Sequence, residues 1–158
     1  MKAVEIAWQP DAERFVAVGS HEQRIHVNAP HLEAGDPWTG FGPTELLLAA
    51  AGTCAAWDVV DILRKQRQAV DGIDVRVTGD QATEAPWHFT EVTLHFTIRG
   101  RGLRCELAER AVHLSEERYC SVTATIRGVA RVGFDLTLVE SGPAPADGGS
   151  PAERVAAG

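Results

Sequence analysis

The sequence predicts an α+β fold with mainly antiparallel β-sheets and one long central helix. Two segments, Gly72–Asp80 and Trp87–Gly100, alternate apolar and polar side chains, which is typical of half-buried strands. A slip in this alternation falls near Glu91. A third segment, from Pro43 to about Gln66, is long and apolar, as expected of a buried helix. The predicted order of elements is β-β-β-α-β-β-α-β.

Three short β-rich segments open the chain: Val4–Trp8, Arg14–Gly19 and Arg24–Ala29. Polar turns separate them, so we expect an antiparallel meander. The following segment, His31–Pro43, is punctuated by glycines and prolines and is predicted to be a long loop. Pro43 suits the first position of a helix, because a residue there needs no partner for a backbone N–H.

The long helix changes character along its length. Its first half is apolar on every side, whereas Asp58, Asp61, Arg64 and Lys65 make its second half amphipathic. A helix that is apolar all round needs cover on all sides, and one chain of this size supplies little, so we expect a homodimer. Small residues near Cys54 would let neighbouring backbones approach closely: Ala50, Ala51, Gly52, Ala55 and Ala56.

The elements after the two alternating strands are less uniform. A second helix is predicted over Leu103–Glu117, with a stripe formed by Leu103, Leu107, Ala111 and Leu114. The next segment, Tyr119–Gly128, fits either a strand or a short helix. Val132–Glu140 is predicted to be a closing strand. The remainder is rich in Pro, Gly, Ala and Ser and is predicted to be disordered, which places one domain at residues 1–140 and a tail at 141–158.

Composition narrows the possible functions. The formal net charge is −7, which disfavours nucleic acid or an anionic membrane as the main partner. We see no secretory signal, and the apolar run Leu46–Trp57 is too short to cross a bilayer. The three cysteines, Cys54, Cys105 and Cys120, lack zinc-finger spacing, and their odd number argues against a secreted disulfide scaffold. We expect a cytoplasmic protein with reduced thiols and with no metal and no cofactor.

Two cysteine-containing segments resemble a known family. They are GPTELLLAAAGTCAAWDVVDILRK, which contains Cys54, and LSEERYCSVTATIRG, which contains Cys120. Both are similar to the cysteine motifs of the osmotically inducible protein C (OsmC) family, which includes the organic hydroperoxide resistance proteins. The predicted order of elements over residues 1–140 is also similar. CAAWDVVDILRK and YCSV look most like the less characterised OsmC-like branch.

This resemblance implies a thiol-dependent peroxidase that reduces organic hydroperoxides and is itself reduced by an external dithiol. Cys54 would be the peroxidatic cysteine and Cys120 the resolving cysteine. The resemblance also implies an arginine that stabilises the thiolate and a glutamate that orients this arginine. Arg24, or alternatively Arg14, and Glu45 are the candidates. Family members have their sheets wrapped around the long helix and are intertwined homodimers with active sites at the subunit interface.

Other interpretations stay open. The family glutamate aligns with Thr44 rather than Glu45, and Asp58 lies on the same helix face as Cys54, where a carboxylate would raise a thiol pKa. The alternative function is therefore a non-catalytic module that binds a small molecule in an apolar pocket at the dimer interface. A redox sensor is a third option. Cys105 is expected to be structural, and Trp38, Phe41, Trp57 and Trp87 to pack or to line a pocket.

Overall fold

The computed structural model of this protein describes residues 2–28 and 40–142, which contain two separate three-stranded sheets. The N-terminal sheet consists of β1 (Val4–Gln9), β2 (Arg14–Gly19) and β3 (Arg24–Val27) in that spatial order. Both of its pairings are antiparallel, so the predicted meander is confirmed. A short 3₁₀ turn, Pro10–Ala12, joins β1 to β2.

The second sheet consists of β4 (Ala69–Gln81), β5 (Phe89–Arg101) and β6 (Arg131–Glu140). β4 and β5 are antiparallel, and their register shifts between Asp80 and Gln81, opposite the slip expected near Glu91. β6 pairs with β5 in parallel. Because a parallel neighbour cannot be reached by a hairpin, the chain between β5 and β6 crosses over through helical segments. These are α2 (Cys105–Leu114), a π-helical turn (Ser115–Tyr119) and α3 (Ser121–Ile126).

The long helix α1 spans Pro43–Lys65, with Pro43 in its first turn as predicted. One stripe of α1 is buried, and its members recur every four residues: Ala51, Ala55, Val59 and Leu63. Gly52 lies beside this stripe, where a Cβ would stand 2.7 Å from Val77 Cγ2 of β4. The absence of a side chain at Gly52 therefore lets α1 pack closely on β4.

The core lies between the buried stripe of α1, one face of β5 and the crossover helices. β5 contributes Val92, Leu94, Phe96 and Ile98, which alternate as the sequence predicted. On α2 the buried residues are Ala108, Ala111 and Val112, whereas the leucines of the predicted stripe flank them half-buried. Among the described residues, the N-terminal sheet adds none to this core.

Large apolar side chains remain exposed on the N-terminal sheet and on the outer face of α1. Ile6 is 61% exposed and Trp57 is 66% exposed. Within one chain only the inner stripe of α1 and the adjacent Gly52 are buried, so the apolar first half of this helix is not covered on all sides. By length and composition alone α1 could also cross a membrane, but its inner stripe packs into the core.

Some predictions fall outside the described residues. They concern Trp38, most of the loop predicted over 31–43 and most of the tail predicted over 141–158. Ser141, the first residue of that tail, donates its backbone N–H to Gly100 O at 2.7 Å.

Candidate functional site

The fold brings Cys54 and Cys120 together beside Asp58. Cys54 Sγ, Cys120 Sγ and a carboxylate oxygen of Asp58 all lie within 4.8 Å of one another. Cys54 and Asp58 are half-buried, whereas Cys120 is only 2% exposed. All three cysteines are free thiols. The site is therefore a dithiol with a carboxylate at its side.

Two different local structures create this arrangement. Cys54 and Asp58 are four residues apart on α1, so their side chains share one face of the helix. Cys120 is positioned by the π-helical turn after α2, in which its N–H donates to Ser115 O at 2.9 Å. The π-helical turn ends at the preceding residue, and Cys120 is the N-cap residue of α3. In this cap the Thr123 N–H donates to Cys120 Sγ at 3.5 Å. π-Helical turns of this kind occur often at functional sites.

Ser115 is a member of the site that the sequence analysis missed. Its hydroxyl donates to Asp58 Oδ2 at 3.1 Å and also lies 3.4 Å from Ala55 O. Ser115 is fully buried, and it continues the buried stripe of α2 after Ala111 and Val112. A serine at a core position of a helix was the signal that could have identified it, because a buried hydroxyl needs a partner.

The electrostatics of the site favour protonated groups. Partial burial raises the pKa of Asp58, and Asp61 raises it further, while the hydrogen bond from Ser115 opposes the shift. Burial also raises the pKa of the Cys120 thiol, against the hydrogen bonds with Thr123. In the described part of the chain, no lysine or arginine forms an ion pair with Asp58. Among the described residues, the Asp58 carboxylate is therefore not neutralised by a direct ion pair.

The other predicted site residues lie away from the two cysteines within one chain. Arg24 is exposed on β3, in the sheet that stays outside the core. Arg14 on β2 donates from Nε to Gln9 Oε1 at 3.1 Å. Glu45 lies in the first turn of α1, where its carboxylate accepts the Gly42 N–H at 2.7 Å. Nine residues separate Glu45 from Cys54, which is about 13 Å along the axis and half a rotation around it.

Cys105 does not join the pair. It is exposed on α2, where its thiol donates to Glu109 Oε1 at 3.4 Å. Cys105 is therefore not part of the core, and its expected structural, non-catalytic role stays a prediction.

A cavity of about 370 Å³ opens beside Asp58. Its polar wall includes Asp61 and Lys65, and its apolar wall includes Leu114 and Tyr119. Trp57 and Trp87, which the sequence suggested for a pocket, do not line this cavity and are mostly exposed. The cavity gives solutes a route to the carboxylate next to the two thiols.

Comparisons with known proteins agree with this architecture. The family model described as OsmC-like protein matches residues 34–134. Protein YhfA of Escherichia coli K12 is 44% identical over 97 residues, which cover 61% of this chain and 72% of YhfA. A hypothetical protein from Aquifex aeolicus VF5, known from its crystal structure, is 27% identical with a TM-score of 0.78, over 90% of this chain and 98% of that one.

An organic hydroperoxide resistance protein from Elizabethkingia anophelis has the same fold. Its TM-score is 0.68 at 15% identity, over 88% of this chain and 96% of that one. The predicted α+β fold with a long helix is thus confirmed by solved structures.

Proposed function

The chain belongs to the OsmC-like protein family, and on that premise we propose that it is a thiol-dependent peroxidase that reduces organic hydroperoxides. The observation that carries the proposal is the convergence of Cys54 Sγ and Cys120 Sγ within 4.8 Å. A disulfide has an S–S distance of about 2.05 Å, so a modest side-chain movement would join the two sulfur atoms. An external dithiol in the cytoplasm would complete the cycle.

The proposed chemistry has three balanced steps. The Cys54 thiolate attacks the terminal oxygen of the hydroperoxide and the O–O bond breaks. Cys54 becomes a sulfenic acid, and the alkoxide takes up a proton and leaves as an alcohol. The Cys120 thiol then attacks the Cys54 sulfur, which forms the disulfide and releases water. An external dithiol finally reduces the disulfide by exchange and is itself oxidised.

The different environments of the two cysteines support this division of roles. Cys54 is half-buried, so part of its side chain faces solvent, whereas Cys120 is enclosed. Burial raises the pKa of Cys120, so this residue stays a thiol at neutral pH and is a poor first nucleophile. A buried thiol next to a sulfenic acid is nevertheless well placed to resolve it.

We propose that the functional unit is a homodimer and that the partner completes the site. The exposed apolar residues of the N-terminal sheet and of the outer face of α1 need cover, as Ile6 and Trp57 show. If the N-terminal sheet of one subunit covers α1 of the other, Arg24 of the partner subunit would supply a cation for the Cys54 thiolate.

Hydroperoxide consumption tests the proposal. The purified protein should consume cumene hydroperoxide with dithiothreitol or dihydrolipoamide as reductant. Cys54→Ser should abolish turnover, whereas Cys120→Ser, assayed without reductant, should consume one equivalent and accumulate a sulfenic acid that dimedone traps. Cys105→Ser is the matched control, because this thiol is exposed and lies outside the pair. Failure of the wild-type protein to consume the hydroperoxide, or full activity of Cys54→Ser, would refute the peroxidase.

A second candidate function is a non-catalytic module that binds a small molecule. The observation that favours it is Asp58, a carboxylate where a peroxidatic thiol needs a cation. The cavity beside Asp58 would then be the binding site. The rate of thiol labelling distinguishes the two functions. Fast labelling of Cys54 by iodoacetamide at neutral pH supports catalysis, and labelling as slow as that of an ordinary thiol supports the binding module.

A further inference from the structure

We propose that the reduced site binds a thiophilic divalent metal ion such as Zn²⁺ through Cys54 Sγ, Cys120 Sγ and a carboxylate oxygen of Asp58. A water molecule would fill the fourth position. This inference goes beyond the peroxidase proposal and does not depend on it, because it concerns the reduced protein without a hydroperoxide.

The three donor atoms fit the ion in kind and in spacing. Thiolate and carboxylate are both zinc ligands, at about 2.3 Å for sulfur and about 2.1 Å for oxygen. In a tetrahedral site such atoms lie about 3.6–3.8 Å from one another. The donor atoms of Cys54, Asp58 and Cys120 already lie within 4.8 Å of one another. Shifts of about 1 Å would bring them to coordinating distance.

The residues around the donors are those that hold ligands in place. Ser115 donates to Asp58 Oδ2, which fixes one carboxylate oxygen and leaves the other free for an ion. The Thr123 N–H points at Cys120 Sγ, where it would stabilise a thiolate. Outer partners of this kind orient metal ligands and strengthen binding.

A divalent ion would also neutralise the negative charge that the three donors carry when they are ionised. Two thiolates and a carboxylate cannot be ionised together without positive charge beside them, and the described chain pairs no lysine or arginine with Asp58. Of the three donors, Asp58 lines the cavity described above, which would give an ion access to its carboxylate. Because Cys54 and Asp58 share a helix while Cys120 lies on another element, the cysteine spacing gave no zinc pattern.

The first experiment titrates the reduced protein with Co²⁺ and then displaces it with Zn²⁺. One equivalent of Co²⁺ should give thiolate-to-metal charge transfer and the visible bands of a tetrahedral site, and Zn²⁺ should remove both. Binding should release protons, so the apparent affinity should rise with pH. Protein oxidised to the disulfide with diamide should not bind, since two ligands are then lost.

Variants identify the ligands. Cys54→Ser, Cys120→Ala and Asp58→Asn should each weaken Zn²⁺ binding, measured by competition with a chromophoric chelator, by more than about tenfold. Ser115→Ala should weaken it by about 10- to 100-fold through loss of ligand orientation. Cys105→Ser should bind as the wild type does. Circular dichroism shows whether each variant is folded, and the three ligand positions test the site independently.

The absence of thiolate-to-metal bands in the wild type, or unchanged binding in Cys54→Ser, would overturn the proposal. Unchanged binding in Asp58→Asn would overturn the three-ligand site. Hydroperoxide consumption is measured in a separate assay with a chelator present. Peroxidase activity in a protein that binds no metal supports only the peroxidase, and metal binding in a protein without activity supports only this inference.

Discussion

The two sheets of this protein differ in what covers them. The β4–β6 sheet is covered by α1 and the crossover helices, and its central strand buries Phe96 almost completely. The N-terminal sheet buries Val16, Ala17 and Val27 but leaves Ile6 61% exposed. The part of the chain from α1 to β6 therefore forms its own core, whereas the N-terminal sheet presents an apolar surface to solvent.

This difference indicates that one part of the chain positions the two cysteines, while the other is suited to association with a second copy. The part of the chain with its own core holds Cys54 and Cys120 near each other, because both residues belong to elements of that core. The N-terminal sheet is suited to association, because burying its apolar side chains against a second copy would stabilise the complex. The stability of the site and the association of subunits should thus respond to different mutations.

The largest expected effect is on the closed core. Phe96→Ala should destabilise the protein by about 3–5 kcal/mol, because it removes a buried ring and leaves a cavity next to Phe134. Urea unfolding measures this change at each of several protein concentrations. Phe15→Ala in the N-terminal sheet, compared at the lowest protein concentration, is the control, since Phe15 is exposed within one chain and should cost less there. Equal losses would contradict the contrast between the two sheets.

The next effect concerns association. Ile6→Asp places a charge on the exposed apolar face of β1 and should weaken dimerisation by at least about 100-fold, or about 2.8 kcal/mol. Sedimentation equilibrium measures the change in mass. Glu5→Gln, at the neighbouring residue on the opposite face of β1, should leave association unchanged. A wild-type protein that stays monomeric at high concentration would remove the basis for this prediction.

A smaller effect is expected where α1 meets β4. Gly52→Ala places a methyl group 2.7 Å from Val77 Cγ2, an overlap that should cost about 1–3 kcal/mol. The better helix propensity of alanine offsets about 1 kcal/mol of this cost. Adding Val77→Ala should relieve the overlap, and a double-mutant cycle in urea would show the coupling. Additive losses would mean that the two residues do not limit the helix-to-strand distance.

The smallest effect is a change of stability with pH. Partial burial raises the pKa of Asp58 above 3.8, so the folded protein binds this proton more tightly than the unfolded chain does. Ionisation of Asp58 should therefore lower stability as the pH rises above that value. Asp58→Asn should remove the loss, so that its stability relative to wild type improves between pH 4 and pH 7. A difference that stays flat over this range would refute the assignment.

Periodicity predicted most of the fold. The alternation in β4 and β5 and the proline at the start of α1 gave elements whose bounds lie within a few residues of those observed. Tyr119–Gly128 could not be assigned, because its β-branched residues favour a strand while its position between two packed elements favours α3. The parallel pairing of β6 was also beyond prediction, since alternation shows which face of a strand is buried and not which neighbour it has.

The site was only partly predictable for a similar reason. Cys54 and Cys120 were identified by resemblance, and their proximity depends on a crossover and a π-helical turn that local patterns do not encode. Ser115 was missed because its importance lies in a partner, Asp58, that is distant in sequence. The catalytic roles of Arg24 and Glu45 stay predictions, because they require contacts that one chain does not make.

The parallel strand β6 has a consequence for how the protein is made. It is the last strand of the core to be synthesised, and it pairs with β5 from Glu91 and Arg131 through Gly100 and Glu140. Until β6 emerges from the ribosome, that edge of β5 offers unpaired backbone groups to any other extended chain. Release of an incomplete chain at this stage would favour aggregation through this edge, until the ten residues of β6 cover it.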